Sequence, residues 1–208
     1  MPDLLQLIAE GEHQQQDFKY QISDSRKIAR TISAFANTDG GRLLIGVKDN
    51  GSLVGIRSEE EIHMIEAAAD FYMKPAVDLA FNKIAIDGLQ ILEVIIHPSK
   101  HKPHFVKEKG GKNIAYFRLN DENFPISGVL EKYWKVKKQK HKKVAYTERE
   151  AKLMTFLREN PFITVKRLAI LAKISFAEAE DLLATFMSWE IIDWHFNGKF
   201  FEYFLIQD

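Results

Sequence analysis

Several residue types and motifs that would define a function class are missing from this 208-residue chain. There is no cysteine, which excludes disulfides, cysteine-ligated zinc and a thiol nucleophile and favours an intracellular, cytoplasmic setting. No run approaches the ~20 apolar residues of a membrane-spanning helix. Gly-x-x-x-x-Gly-Lys-Ser/Thr and Gly-x-Ser-x-Gly are also absent. We therefore expect no membrane association, no P-loop and no serine hydrolase of that type.

Charge is distributed unevenly although the net charge is zero. Residues 1–130 and residues 147–208 are each mildly acidic, with a net charge of −3. Between them, residues 131–146 carry seven lysines and one glutamate. This pattern predicts two domains, 1–130 and 147–208, joined by a lysine-rich connector.

The most informative stretch is Ala34–Gly51, which reads as a helix, a tight turn, a strand and a hairpin. An amphipathic run ends at Asn37, a turn follows at Asp39-Gly40-Gly41, and apolar residues run from Leu43 to Val47 past Gly46. Asn50-Gly51 is a strong hairpin signal and predicts a further strand over residues 53–56. By itself, such a string could consist of turn formers alone.

Helices and hairpins alternate through the rest of residues 1–130. The spacing of Ile28, Ile32 and Phe35 predicts a helix capped by Ser23 or Asp24. Strands are expected on both sides of Asp87-Gly88, and two shorter ones on both sides of Gly110-Gly111. This order favours an α+β domain with a mixed or mostly antiparallel sheet.

The last 62 residues follow a different plan. Thr147 with Glu150 and Ser175 with Glu178 have capping-box spacing, and they predict helices over 147–159 and 175–188 with another over 164–172. Strands over 191–194 and 199–205 flank Asn197-Gly198. Three helices and a β-hairpin resemble a winged helix, a helix-turn-helix variant used in transcription regulation.

Residues of the informative stretch also carry a family resemblance. Ala-Phe-Ala-Asn-Thr-x-Gly-Gly-x-Leu-x-Ile-Gly-Val, with Asp17-Phe18-Lys19 before it and Tyr116-Phe117-Arg118 after it, resembles the Schlafen/AlbA-like domain family over about residues 5–130. The resemblance implies that fold and a role in DNA or RNA binding. The family's "divergent AAA" label also implies ATP binding, but the turn at Asp39 follows a helix rather than preceding one, so no phosphate cradle is recognisable.

A metal-dependent endoribonuclease is the alternative that the resemblance implies. Glu12, Asp17 and Asp49 occupy the positions of acidic residues that carry this activity in animal Schlafen proteins. Carboxylates of this kind hold Mg²⁺ or Mn²⁺, which stabilises a phosphodiester transition state. Asp17 is one methylene shorter than the family's glutamate, and Lys48 replaces a family aspartate. Three solvated surface carboxylates are the simpler interpretation.

Phosphate contacts without catalysis are the function that we favour from the sequence. Basic candidates occur in the first domain and in the connector, where Tyr133 and Trp134 could stack on bases. These basic candidates are Arg26, Lys27, Arg30, Arg42, Arg118, Lys135, Lys137 and Lys138. The predicted third helix, 175–188, has three acidic residues and no Lys or Arg, so it suits a protein partner or a homodimer better than a DNA groove.

Overall fold

The structure is a computed structural model that describes residues 4–137 and 146–206. The chain divides into two compact units, Met1–Ile126 and Ser127–Asp208. This division differs from the expected one at residue 130, because residues 131–137 lie in a helix of the second unit instead of a connector. The remaining connector residues, 138–145, lie outside the described part of the chain.

The first unit is an α+β domain with two four-stranded sheets, which confirms the predicted fold class. One sheet is mixed, in the order β1-β2-β5-β4 with β1 parallel to β2, and the other is antiparallel, in the order β3-β6-β7-β8. Its elements are α1 (Leu4–Glu10), β1 (Gln16–Lys19), α2 (Ser25–Asn37), β2 (Gly41–Ile45), α3 (Glu60–Phe71), β3 (Met73–Lys74), β4 (Leu79–Ile86), β5 (Leu89–Ile96), β6 (Phe105–Lys107), β7 (Asn113–Leu119) and β8 (Glu122–Pro125).

Strand β2 joins two apolar clusters because successive side chains of a strand point to opposite faces. Leu43 and Ile45 belong to a cluster that includes Ile32 and Phe35 of α2. Leu44 belongs to a second cluster, built with residues of α1. The mixed sheet is therefore covered by α2 on one face and by α1 on the other.

Helix α2 is the central element of the first unit. It begins where the Asp24 carboxylate caps the first turn, and its predicted face of Ile28, Ile32 and Phe35 is buried. It contacts α3 and also β6 and β7 of the antiparallel sheet. Because α2 packs on β6 and β7, its first half lies near the turn that joins these two strands.

The second unit contains four helices and one hairpin. These are α4 (Gly128–Lys137), α5 (Glu148–Glu159), α6 (Val165–Ala172), α7 (Phe176–Ser188), β9 (Ile192–Phe196) and β10 (Phe201–Leu205). Both capping boxes form as predicted, at Thr147 and at Ser175. Ile163 makes a single bridge to Tyr203 of β10. The helices and the hairpin are confirmed, and the winged helix stays a prediction.

One detail of the first unit differs from expectation. Residues 53–56 make only an isolated bridge between Leu53 and Val47 rather than a strand. Residues 16–19 form β1 in register with β2. In residues 4–137 and 146–206, no helix is long and apolar enough to cross a membrane.

Candidate nucleic-acid interface

Three cationic side chains extend from the first half of α2. The Asp24 carboxylate accepts hydrogen bonds from the backbone N–H groups of Arg26 (2.8 Å) and Lys27 (3.4 Å), which fixes the first turn. These bonds, that of Arg26 above all, hold the pKa of Asp24 below its ordinary value, and the charges of Lys109 and Lys27 lower it further. Lys109 follows Glu108, which pairs with Arg30, so the β6–β7 turn lies beside the first half of α2.

Arg30 is held in one orientation by a buried carboxylate. Its Nε and Nη2 atoms donate to the two oxygens of Glu108 at 2.7 and 2.6 Å, and the Tyr116 hydroxyl donates to the same carboxylate at 2.7 Å. The Arg30 guanidinium accordingly keeps the pKa of Glu108 below its usual range. Arg30 itself remains 43% exposed. A two-point contact of this kind presents an oriented guanidinium edge to solvent.

We call Arg26, Lys27, Arg30 and Lys109 the α2 basic face. Arg26 lies over the Tyr72 ring, 5.0 Å from its centroid, while Lys27 and Lys109 are exposed. Two carboxylates, Asp24 and Glu108, reduce the local charge to +2. The face thus combines two oriented guanidinium groups with two mobile ammonium groups.

Arg118 was predicted to contact phosphate, but it lies in the interior of the first unit. Its side chain is fully buried and stacks on Phe35, 4.7 Å from the ring centroid. All three guanidinium nitrogens donate within the fold, to the carbonyls of His13 and Gln16 and to Asn123 and Asp17. Arg118 is therefore a structural residue that no phosphate can reach in this conformation.

The motif turn is held by side chains that also belong to the core. Buried Asn37 donates to the carbonyls of His104 (3.1 Å) and Tyr116 (3.0 Å) and accepts from the His104 N–H (2.8 Å). Asp39 accepts hydrogen bonds from Gln14 and Gln15. The three motif glycines leave no room for a Cβ atom: Gly40, Gly41 and Gly46. The motif consequently ties α2 to β6, β7 and β2.

Comparison with known families identifies the first unit. The family model described as Schlafen, AlbA_2 matches residues 12–127, more than half of the chain. The chain belongs to the Schlafen/AlbA_2 family. No curated protein sequence matches it.

Two solved structures are distantly similar to this Schlafen/AlbA_2 chain. The crystal structure of the DIP2311 protein from Corynebacterium diphtheriae aligns with a TM-score of 0.43 and 19% identity, over 59% of this chain and only 27% of that one. The NMR structure of the N-terminal domain of a RecG-related protein from Nitrosomonas europaea aligns with a TM-score of 0.40 and 20% identity, over 71% and 97%. Neither likeness is close enough to inform function.

Three carboxylates were predicted as metal ligands: Glu12, Asp17 and Asp49. Glu12 and Asp17 lie together, but Asp17 also contacts the Lys19 ammonium at 2.7 Å and Arg118 at 3.2 Å. The Lys19 contact is an ion pair without a well-aligned hydrogen bond. Burial raises the pKa of Glu12, the Phe18 N–H lowers it, and Asp17 raises it again.

This donor set does not fit a divalent cation. Asp49 is exposed in the turn after β2, and the described ranges contain no group of three or more His, Asp or Glu side chains that could hold a metal. Two resident cations already neutralise the Glu12–Asp17 pair. We therefore derive no reaction step through a metal in this Schlafen/AlbA_2 domain.

The remaining predicted cations are distributed over both units. Arg42 contacts Glu93 at 3.4 Å across β2 and β5. On α4, Lys135 pairs with Glu131 at 2.5 Å, and the Lys137 ammonium donates to the Tyr133 hydroxyl at 3.1 Å. Lys138 lies outside the described residues. None of these three described cations belongs to the α2 basic face.

Sequence reasoning missed Lys109 and Glu108. Both lie 78 or more positions from Arg30 along the chain, so no local pattern connects them to α2. The available signal was the predicted hairpin around Gly110-Gly111, which places the residues before it in a surface turn. Only the packing of α2 on β6 and β7 shows which helix that turn approaches.

Proposed function

We propose that this chain is a nucleic-acid-binding protein whose first unit contacts phosphates through the α2 basic face. The observation that carries the proposal is the ion pair between Arg30 and Glu108, which brings exposed Lys109 to the helix that also carries Arg26 and exposed Lys27. Cations in this arrangement attract the regular negative charge of a nucleic-acid backbone without reading its sequence. The family membership is consistent with this role.

The two kinds of cation on the face have different tasks. Glu108 orients Arg30, and the Tyr72 ring supports Arg26, so little side-chain entropy remains to be lost when a phosphate binds. Lys27 and Lys109 are exposed and adjust to the spacing of neighbouring phosphates. The salt dependence of binding then reports how many of these cations contact phosphate, because each contact adds to the slope.

The second unit adds a finer hypothesis, a role in transcription regulation through a winged helix. Lys135 and Lys137 are exposed on α4 and provide two further cations for phosphate contacts. The acidity of α7 is partly neutralised, since Lys132 contacts both Glu180 (3.3 Å) and Asp181 (2.9 Å). We assign this unit an auxiliary role and the first unit the principal phosphate contacts.

The test is the salt dependence of binding to a labelled DNA duplex and to a labelled RNA hairpin. The double variant Lys27→Gln/Lys109→Gln removes two exposed charges and leaves the oriented arginines in place. Because each phosphate contact contributes about −0.9 to the slope of log K against log salt for duplex DNA, we expect the slope to become shallower by about 1–2. Affinity at low salt should fall by about tenfold or more.

A charge-matched control is Lys83→Gln/Lys152→Gln. These lysines pair with Glu59 and Glu148 and lie on β4 and α5, and neither belongs to the α2 basic face. The control should retain the wild-type slope apart from a small non-specific change. Equal losses in both variants, or no binding by the wild-type protein, would refute the proposal.

The nuclease alternative is tested in the same reactions. Labelled RNA is incubated with Mg²⁺ or Mn²⁺ and with a chelator, beside Asp49→Ala. Because the donor set does not fit a divalent cation, we expect the RNA to remain intact. Metal-dependent cleavage that Asp49→Ala abolishes would establish the enzyme instead.

A further inference from the structure

The second unit contains a cavity that the proposed function does not use. It has a volume of about 560 Å³ and lies between the starts of three helices and the hairpin. Apolar side chains form most of its wall: Val165, Phe176, Phe200 and Phe201. Cavities that bind small molecules in proteins usually have volumes of about 300–1,000 Å³ and mostly apolar walls.

Two phenylalanines of the wall are left unusually open. Phe176 is 56% exposed and Phe200 is 45% exposed, although burying an aromatic ring stabilises a fold by about 1.5–3 kcal/mol. Phe176 begins α7, and Phe200 lies just before β10. They offer two ring surfaces to an apolar body that enters the cavity.

Polar groups are confined to the inner end of the cavity and to its mouth. At the inner end, the hydroxyl of buried Tyr203 lies 3.1 Å from Ser127 Oγ. Glu180 also lines the cavity, and it contacts Lys132 at 3.3 Å, which also pairs with Asp181 at 2.9 Å. A Cβ atom at Gly128 would lie 2.2 Å from a Glu180 oxygen, so a larger residue at this position would displace the Glu180 carboxylate.

The mouth of the cavity is positively charged. Lys166 and Lys199 line it, both are exposed, and neither ammonium group has an ion-pair or hydrogen-bond partner among residues 4–137 and 146–206. Helices α4, α6 and α7 begin at the same cavity, and the N-terminal end of a helix favours negative charge. The two lysines and the three helix N-termini together favour an anion at the mouth.

We propose that this cavity binds a small organic anion, with an apolar body of aromatic size and one acidic group. The body lies between Phe176 and Phe200, and the acidic group contacts Lys166 and Lys199. Such a ligand would occupy the second unit independently of nucleic acid on the α2 basic face.

A pair of fluorescent probes tests both halves of the proposal on the full chain. Anilinonaphthalene sulfonate has an aromatic body and one anionic group, and phenylnaphthylamine has the same body without the charge. We expect saturable binding of both probes at one site, with the sulfonate bound more tightly. Near-ultraviolet circular dichroism must show native packing, since loosely packed states also bind the sulfonate.

Two variants assign the binding to the cavity. Lys166→Gln/Lys199→Gln should weaken sulfonate binding by about five- to tenfold and leave the neutral probe within about twofold, because only charge is removed. Val165→Trp should fill the cavity and abolish saturable binding of both probes. Lys83→Gln/Lys152→Gln is the matched control and should bind both as the wild type does.

Three results would overturn the proposal. They are the absence of saturable binding by the wild-type protein, unchanged binding in Val165→Trp, and equal losses of the two probes in the lysine variant. Either of the first two results would show that the cavity is not the binding site. The third would show that the cavity has no preference for an anion. If Val165→Trp fails to fold, Phe200→Ala provides the second variant and should weaken both probes equally.

Discussion

Replacing Arg118 by methionine separates a structural role from a phosphate-binding one. Methionine retains much of the buried aliphatic length and removes the guanidinium. Among the described residues the change leaves Asp17 with Lys19 as its cationic partner, and the carbonyl groups of His13 and Gln16 keep only the hydrogen bonds from each other's backbone N–H groups. It also removes the stacking of the guanidinium on Phe35.

The expected loss of stability is large because the residue is buried. Breaking a buried ion pair by removing one partner costs about 3–5 kcal/mol, and each further hydrogen bond that is lost costs about 1 kcal/mol. Lys19 compensates part of this loss, so we expect Arg118→Met to lower the free energy of unfolding of the first unit by about 3–5 kcal/mol. That is a substantial share of the ~5–15 kcal/mol that holds a typical domain together.

Urea titration with two probes measures this effect unit by unit. All three tryptophans, Trp134, Trp189 and Trp194, belong to the second unit, so their fluorescence reports on that unit alone. Far-ultraviolet circular dichroism reports on both units. The circular-dichroism transition of the first unit should shift to lower urea, while the tryptophan transition should stay in place.

Arg42→Met is the matched control for Arg118→Met. Arg42 is 32% exposed and contacts Glu93 at 3.4 Å, so its loss should cost no more than about 1 kcal/mol. A loss below about 1 kcal/mol in Arg118→Met, with weaker binding to duplex DNA, would refute the reasoning, since the guanidinium would then have to reach phosphate.

Three further predictions concern the motif turn and the tyrosine beneath the α2 basic face. Asn37→Asp should destabilise the first unit by about 3 kcal/mol or more in urea, because a carboxylate would face two carbonyl groups; Asn37→Ser should cost less, and equal costs would contradict this account. Gly40→Ala should cost about 2 kcal/mol more than Gly110→Ala, since only at Gly40 would the Cβ meet backbone, 2.7 Å from the Ile96 carbonyl; equal melting temperatures would argue against it. Burial and the Glu108 carboxylate raise the pKa of Tyr116 to about 12, so its neutral form stabilises the fold below pH ~10 and this contribution is lost as pH rises through about 12. Ultraviolet titration against Tyr116→Phe measures it, and ionisation near pH 10 would contradict it.

Local signals in the sequence predicted most of the secondary structure. The capping boxes at Thr147 and Ser175, the turn at Asp87-Gly88 and the apolar face of α2 each reside within one element, and each is confirmed. Such features depend on neighbours a few positions away, which a sequence displays directly.

The parts that could not be predicted depend on contacts between distant residues. Strand β1 places the polar residues Gln16 and Asp17 in the interior. Arg118, about 100 positions later, donates hydrogen bonds to the backbone carbonyl of Gln16 and to the carboxylate of Asp17. The lysines of residues 131–146 predict a connector, but residues 131–137 continue a helix whose first turns bury Val129 and Leu130. No pattern within either segment reveals its partner.

The same limit applies to the candidate site. The sequence offered eight cations of equal standing, and only tertiary contacts distinguish them. Arg118 and Arg30 show the difference most clearly, since each has an acidic partner and an aromatic ring beside it.

The count of satisfied nitrogen atoms decides which arginine can bind phosphate. All three nitrogens of Arg118 donate within the fold, whereas Glu108 takes Nε and Nη2 of Arg30 and the described residues supply no partner for its Nη1. Glu108 therefore orients the Arg30 guanidinium and also subtracts one charge from the α2 basic face. The α2 basic face, with a net charge of +2, therefore attracts phosphate both by its charge and by the orientation of the Arg30 guanidinium. Replacing Glu108 by glutamine would add charge but lose orientation, so tighter binding at low salt should be accompanied by a steeper loss as salt rises.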